Sequence, residues 1–262
     1  MNPTVKLLVF SLFLTLIGCE ADQKAHVAKE NDDSKEISFY TSDSIHIIGD
    51  LYELDKTANT ILLFHQGGSN ARGEYVSIIP KLREKGYNIL AIDQRSGGQV
   101  YGSYNRTLAN IPENSFGDGY TYCDAYNNLE GALEYVNAQG FSGKKILWGS
   151  SYSATLAIQL GNNRQEEISA VLAFSPASGG AMKACLPDPY FESMKIPLLI
   201  LRPPNEMERE ASQQQFELAK QFNHQTFVPE HGVHGSSMLV KERVGEDVSE
   251  TWKVVFEFLD KV

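Results

Sequence analysis

One serine near the middle of the chain has the flanking residues that a nucleophile in a tight turn needs. Residues 149–153 read Gly-Ser-Ser-Tyr-Ser and join an apolar, strand-like stretch to a helix-like one. In a G-x-S-x-G turn the serine holds strained backbone dihedrals, so the residues two before and two after it must be small. Gly149 and Ser153 meet this requirement around Ser151, whereas Ser150 has a tryptophan two residues before it. We therefore take Ser151 as the candidate nucleophile.

A serine hydroxyl needs a general base, and a histidine is the usual one. Four of the six histidines lie in other segments: His26 in a polar N-terminal stretch, His46 in a hairpin, His65 in the turn after a strand and His224 at a helix-to-strand junction. His231 and His234 remain, in the loop after the last predicted strand. We prefer His234, because a His-Gly pair before the final helix is the usual arrangement in enzymes with this serine turn. The alternative is a metal site formed by Glu230, His231 and His234, although no further cluster has ligand spacing.

The acid that orients the histidine should follow the strand 197–201, because the chain order is serine, acid, histidine. The segment Arg202 to Glu206 contains no aspartate, so Glu206 is the candidate and Glu208 the next choice. The alternative is that these acids only begin a helix, where negative charge is favourable.

The candidate oxyanion site combines two backbone amides. A strand ends at Phe64 and runs into a glycine-rich turn, His-Gln-Gly-Gly-Ser over 65–69, where Gly67 can aim its N–H group at the reacting carbonyl. Tyr152, directly after the serine, supplies the second N–H group at a helix N-terminus. The alternative for the two glycines is an ordinary loop.

Apolar runs alternate with helix-like segments from residue 36 onward. Two runs of alternating polarity predict an antiparallel hairpin: Ile37 to Thr41 and Ile45 to Leu54. Near-continuous apolar runs predict buried parallel strands: Thr60 to Phe64, Asn88 to Ile92, Lys145 to Trp148, Ala170 to Phe174 and Pro197 to Leu201, with Gln225 to Val228 last. Spacings of three and four predict helices: 73–85, 123–138, 152–161, 208–222 and 247–261. The fold class is therefore α/β, a doubly wound, mostly parallel sheet in one domain with the hairpin at one edge.

Two connections bear on the site. Residues 95–121 have no clear period, and a loop of that length in a compact domain is usually functional, so we expect it to shape the pocket. Only about 22 residues separate the strands ending at Phe174 and starting at Pro197, which leaves no room for a large helical cap.

The N-terminus resembles a bacterial lipoprotein signal peptide. Lys6 precedes an apolar run, 7–17, and Gly18 and Cys19 follow. The run is too short to span a bilayer of about 30 Å. The resemblance implies cleavage before Cys19 and diacylglycerol on its sulfur. Glu20 as the next residue favours the outer membrane, on its periplasmic face, over the inner membrane.

The resemblance to an export signal also divides the chain into three parts. We expect residues 1–18 to be the signal peptide, 19–35 the lipidated cysteine and a polar tether, and 36–262 the folded domain. In an oxidising compartment Cys123 and Cys185 would form a disulfide or remain two buried thiols, and their sequence positions favour neither.

Composition limits the partners. The chain has 33 acidic and 23 basic side chains, a net charge of −10, and no basic block, which argues against nucleic-acid binding. With 42% hydrophobic and 21% charged residues it has the composition of an ordinary globular protein.

Taken together, residues 37–262 resemble the α/β-hydrolase fold, particularly small serine hydrolases related to dienelactone hydrolases and bacterial esterases. The resemblance rests on Leu63 to Ser69, on Gly86 to Gly98, on the serine turn and on His234-Gly235. It departs at Gln66, where glycine is usual, and at Glu206, where aspartate is commoner; dienelactone hydrolases also use cysteine as nucleophile.

The resemblance implies hydrolysis of a carboxylic ester through an acyl-enzyme, without a cofactor. The expected partners are a small-molecule ester and, through the lipid alone, a membrane; no oligomeric state is predicted. The alternatives are a serine peptidase or amidase of the same fold and a lipoprotein that binds a ligand without catalysis.

Overall fold

The sheet has the predicted mixture of directions. The computed structural model describes residues 33–112 and 122–262, and within them the chain forms eight strands: β1 Lys35–Tyr40, β2 His46–Tyr52, β3 Thr60–Phe64, β4 Asn88–Asp93, β5 Lys145–Ser150, β6 Ile168–Phe174, β7 Leu198–Leu201 and β8 Gln225–Phe227. Their order is β1-β2-β4-β3-β5-β6-β7-β8. β1 pairs antiparallel with β2, and β2 pairs antiparallel with β4. The other pairings in the sheet are parallel. The predicted doubly wound α/β sheet with an edge hairpin is confirmed.

The same residues contain eight α-helices: α1 Ala71–Tyr75, α2 Ile79–Glu84, α3 Arg106–Ala109, α4 Tyr126–Ala138, α5 Tyr152–Asn163, α6 Glu210–Gln221, α7 Lys241–Val244 and α8 Ser249–Leu259. The single helix predicted over 73–85 is wrong, because the chain breaks between α1 and α2. Pro80 lies in the first turn of α2, the position that tolerates a residue without an N–H group.

Each face of the sheet has its own apolar core. In β3, Leu62 and Phe64 face one core, and Ile61 and Leu63 face the other, as the two-residue period of a strand requires. Helices α4, α5 and α6 cover the first core, and α1, α2 and α8 cover the second. Burial on both faces explains why the central strands are almost wholly apolar. Because β3, β5, β6 and β7 are parallel, their carboxyl ends meet at one edge of the sheet.

Buried ion pairs hold the chain that follows β4. Arg106 bonds Asp93 through Nε at 2.6 Å and Asp50 through Nη1 at 2.9 Å, and Asp93 also accepts the Ala71 N–H group. Arg95 pairs with Asp43. Part of the long predicted loop 95–121 is ordered as α3, and its residues 113–121 lie outside the described residues.

The predicted signal peptide, 1–18, and Cys19 also lie outside the described residues. No helix among the described residues is long and apolar enough to cross a membrane.

Cys123 and Cys185 form a disulfide, with their Cα atoms 5.9 Å apart. The bond joins a short 3₁₀ helix, Tyr122–Ala125, to a second one, Gly180–Cys185. Of the two states that the sequence left open, the structure therefore contains the bridge.

Loss of this disulfide should destabilise the fold. A cross-link over 62 residues removes unfolded-chain entropy worth about 4 kcal/mol in the loop-closure model. We expect Cys123→Ser/Cys185→Ser to lower the free energy of unfolding in urea by roughly 2–4 kcal/mol. Reduced wild type is the control and should match the variant. Equal stability of the variant and oxidised wild type would contradict this account.

Candidate active site

Ser151 has the backbone of a strained turn between strand and helix. It follows the last residue of β5, precedes α5, and has φ 61° and ψ −122°, in a region that L-residues rarely adopt. Gly149 is required here, because a Cβ atom at this position would lie 2.5 Å from Ala154 Cα. The serine hydroxyl is thereby lifted out of the sheet edge.

Ser153 replaces the second glycine of the motif and has a structural use. Its buried hydroxyl donates to the His65 carbonyl at 2.6 Å and accepts from Gln94 Nε2 at 2.8 Å. These bonds tie the turn around Ser151 to the ends of β3 and β4. The departure from glycine therefore costs no unsatisfied polar group.

His234 and Glu206 are in direct contact. His234 Nδ1 donates to Glu206 Oε1 at 2.5 Å. The histidine side chain is 52% exposed, whereas that of Glu206 is 5% exposed. An imidazole held through Nδ1 by a carboxylate presents Nε2 to its surroundings, as a general base requires.

Burial and neighbouring groups act in opposite directions on Glu206. Burial alone would raise its pKa, but the hydrogen bond from His234, the charge of Arg202 and the Ser175 hydroxyl outweigh it and lower the pKa. Arg202 Nη1 lies 2.9 Å from Glu206 Oε2. Glu206 therefore remains a carboxylate at neutral pH, although it is buried.

Arg202 and Ser175 were not predicted to serve the site. Arg202 directly follows β7 and is buried, and a charged residue at the end of a buried strand is the signal that could have identified it. Ser175 directly follows β6, has a positive φ of 53°, and accepts the Gly235 N–H group at 3.0 Å. No sequence pattern indicated that role.

Ser151 and His234 line one cavity of about 390 Å³. The Ser151 hydroxyl makes no hydrogen bond to His234 among the described residues. Catalytic hydrogen bonds are often long without substrate and tighten when it binds. The arrangement therefore brings together a strained serine, a histidine and a buried carboxylate.

The glycine turn and the serine turn are in contact, because Ser153 donates to the carbonyl of His65 at 2.6 Å. Gly67 follows Gln66, whose N–H group donates to Glu74 Oε2 at 2.7 Å. Tyr152 begins α5, and the first N–H groups of a helix form its positive end. Gly67 and Tyr152 thus lie in two turns that both follow central strands of the sheet, β3 and β5.

Tyr122 is a further residue at this turn. A Cβ atom at Gly67 would lie 3.1 Å from the Tyr122 hydroxyl oxygen. The Tyr122 ring packs on that of Tyr152, with 4.7 Å between centroids. The neighbouring disulfide at Cys123 fixes this segment, which sequence analysis did not connect with the site.

The alternative histidines lie elsewhere. His231 is half exposed and lies 3.7 Å from Glu230. His65 is buried at the end of β3, where Nδ1 contacts the Gln66 carbonyl and Nε2 accepts the Gln94 N–H group, so it holds the turn. Within the described residues, no three His, Cys, Asp or Glu side chains are grouped to hold a metal ion.

Glu74 is a fully buried acid behind the glycine turn. Burial raises its pKa to about 7, although hydrogen bonds from the Ser150 hydroxyl and the Gln66 amide oppose the rise. Within the part of the chain that the structure describes, Glu74 Oε1 and Gln66 Oε1 accept no hydrogen bond. Protonation would turn one of these two buried acceptors into a donor.

Glu74 should make stability depend on pH. Its folded pKa exceeds its unfolded value of 4.5, so the stabilisation is complete below pH 4.5 and is lost as pH rises to about 7. The loss should be about 3 kcal/mol in wild type and absent in Glu74→Gln, as measured by urea unfolding at pH 4.5 and 8. The exposed Glu84→Gln is the control and should behave like wild type. A constant difference between wild type and Glu74→Gln at both pH values would contradict the assignment.

The sequence matches no protein-family model and no curated protein. Solved structures are similar in fold. An esterase of Pyrococcus furiosus, Pf2001, has a TM-score of 0.62 at 22% identity, over 87% of this chain and 92% of that one. Est1E of Butyrivibrio proteoclasticus, solved with ferulic acid, has a TM-score of 0.65 at 13% identity, over 86% and 98%.

Two further neighbours differ in their named activity. A putative dienelactone hydrolase of Klebsiella pneumoniae has a TM-score of 0.61 at 11% identity, over 87% of this chain and 98% of that one. An acylaminoacyl peptidase of Pyrococcus horikoshii has a TM-score of 0.61 at 14% identity, over 87% and 41%. At these identities the likeness concerns architecture, and residues 33–112 and 122–262 have the α/β-hydrolase fold without a large cap domain.

Proposed function

We propose that this protein is a serine hydrolase that cleaves a carboxylic ester through an acyl-enzyme. One observation carries the proposal: the 2.5 Å bond from His234 Nδ1 to buried Glu206, beside a cavity that the strained Ser151 also lines. A structural histidine would have little need of an ionised, buried partner together with an accessible second nitrogen. The fold and its esterase neighbours support the same reaction class.

The proposed reaction has two steps. Ser151 Oγ attacks the ester carbonyl while His234 Nε2 takes its proton, and the Gly67 and Tyr152 amides stabilise the oxyanion. His234 then protonates the leaving alcohol. In the second step water attacks the acyl-enzyme with His234 again as base, and the acid is released. Glu206 stabilises the imidazolium in both steps.

Substitution of the proposed triad tests this mechanism. Ser151→Ala and His234→Ala should abolish labelling by a fluorophosphonate probe and lower kcat for a p-nitrophenyl acyl ester by about 10³-fold or more. Glu206→Gln should lower kcat by about 10⁴-fold, since it removes the charge that stabilises the imidazolium.

The chain offers matched controls for both assignments. His231→Ala changes a histidine of the same loop, and Glu208→Gln an acid two residues from Glu206; both should keep turnover. Thermal melts would establish that every variant folds. Absence of labelling in folded wild type would refute the serine mechanism, and hydrolysis of an anilide at a rate equal to that of the ester would favour the amidase alternative.

We also propose that Cys19 carries a lipid that anchors the domain to the bacterial cell envelope, with the outer membrane the favoured location. The apolar run 7–17, the small Gly18 and the polar stretch 20–32 support this proposal. The mature chain would begin at Cys19, and the polar stretch would hold the catalytic domain away from the membrane surface.

Removal of the Cys19 thiol should release the protein from membranes. The full chain, expressed in a bacterium with an alkyne fatty acid, should be labelled and should partition into the detergent phase, whereas Cys19→Ser should do neither. Asp22→Asn in the tether is the control and should keep the label. Equal labelling of wild type and Cys19→Ser would disprove lipidation at this residue.

A further inference from the structure

The cavity beside Ser151 has several polar side chains, and one of them is an arginine that forms no ion pair or hydrogen bond with the described residues. Its walls come from three segments: Ser175 to Gly180 after β6, the turn Arg202 to Arg209 after β7, and His234. The volume of about 390 Å³ lies at the lower end of the usual range for ligand pockets. Among its described lining residues, Pro176 and Ala177 have apolar side chains, and the polar side chains around them can bind a small polar group.

Arg209 differs from the other arginines of the chain, all eight of which are described. The other seven form ion pairs, hydrogen bonds or ring contacts: Arg72, Arg83, Arg95, Arg106, Arg164, Arg202 and Arg243. Among the described residues the Arg209 guanidinium forms no such contact, although Glu208 and Glu210 flank it in sequence. An unpaired guanidinium therefore borders the cavity that holds the proposed nucleophile.

Of the charged side chains that line the cavity, two are arginines and one is an acid. Glu206 is the only acid that lines it among the described residues, and Arg202, at 2.9 Å, offsets that charge. Arg209 adds a second positive charge. The whole chain carries −10, so a local positive excess next to the nucleophile is contrary to the overall balance.

The backbone of Arg209 is held by the turn that carries the proposed acid. Its N–H group donates to the Glu206 carbonyl at 3.2 Å, and its own carbonyl accepts the N–H groups of Ser212 and Gln213 at the start of α6. A fixed backbone limits the positions that the guanidinium can take. The Arg209 side chain, which is exposed to solvent, extends from this fixed backbone at the edge of the cavity.

We propose that the substrate is a small ester that also carries a carboxylate, and that Arg209 binds this carboxylate while Ser151 attacks the ester carbonyl. The inference rests on the proposed serine-hydrolase function and narrows its substrate class. A guanidinium and a carboxylate form a paired, charge-assisted hydrogen bond that a neutral ester cannot form. A Cβ atom added at Gly179 or Gly180, which line the same cavity, would meet no atom within 4 Å, so the cavity wall is open there.

Paired substrates test the inference by turnover. Monomethyl glutarate carries the carboxylate, and its amide analogue, methyl 4-carbamoylbutanoate, has the same shape without the charge. Wild type should favour the anionic ester by about tenfold or more in kcat/KM. Arg209→Gln should remove that preference mainly through KM, Arg209→Lys should keep part of it, and Lys220→Gln, on the helix that follows Arg209, should keep it all. Added salt should weaken the preference of wild type.

A binding measurement separates this inference from the proposed reaction. Glutarate should bind the folded Ser151→Ala protein in calorimetry, and adding Arg209→Gln should weaken its Kd by about tenfold. That result supports the carboxylate site even if neither ester is hydrolysed, which would refute only the reaction. Equal kcat/KM for the two esters in wild type, or glutarate binding that Arg209→Gln does not change, would overturn the inference.

Discussion

The candidate site depends on a carboxylate that stays ionised in the protein interior. Removing a carboxylate from water costs several kcal/mol unless charge and hydrogen bonds replace the lost solvent. Glu206 is 4% exposed, and Arg202, Ser175 and His234 supply those replacements. Arg202 is itself buried and also donates hydrogen bonds to the Pro176 carbonyl and to Gln215 Oε1, the latter at 2.5 Å. Gln215 of α6 therefore contributes to the orientation of His234 through Arg202 and Glu206.

The candidate site also depends on the close approach of two backbone segments, the serine turn and the loop of His234. Gly149 and Gly235 each lie where a Cβ atom would collide with the neighbouring turn, Gly235 against the Ser150 hydroxyl. That hydroxyl accepts the Ser236 N–H group at 2.9 Å, which joins the loop of His234 to the end of β5. The strain at Ser151 persists because the packed strands on both sides hold it. Small residues thus bring the serine and histidine segments within reach of each other.

Local patterns predicted the sheet because each central strand is buried on both faces, and a buried strand is apolar along its whole length. The serine turn, Gly67 and His234 could be proposed from the sequence, since each lies at the end of a predicted strand or in the following loop. The sequence did not indicate that Tyr122 or Arg202 serves the site, because such contacts join residues far apart in the chain. The break before α2 was missed because one apolar period runs through both helices.

The disulfide is relevant to both sides of the site. Cys185 ends the segment whose first residue, Gly180, lines the cavity, and Cys123 directly follows Tyr122, which lies against Gly67. One covalent bond therefore connects the segment that begins in the cavity wall to the segment that contacts the glycine turn. Loops that must order when a substrate binds reduce its affinity, and a wall already fixed avoids part of that cost. A small polar ligand makes few contacts, so its binding depends strongly on such preorganisation, which the cross-link provides.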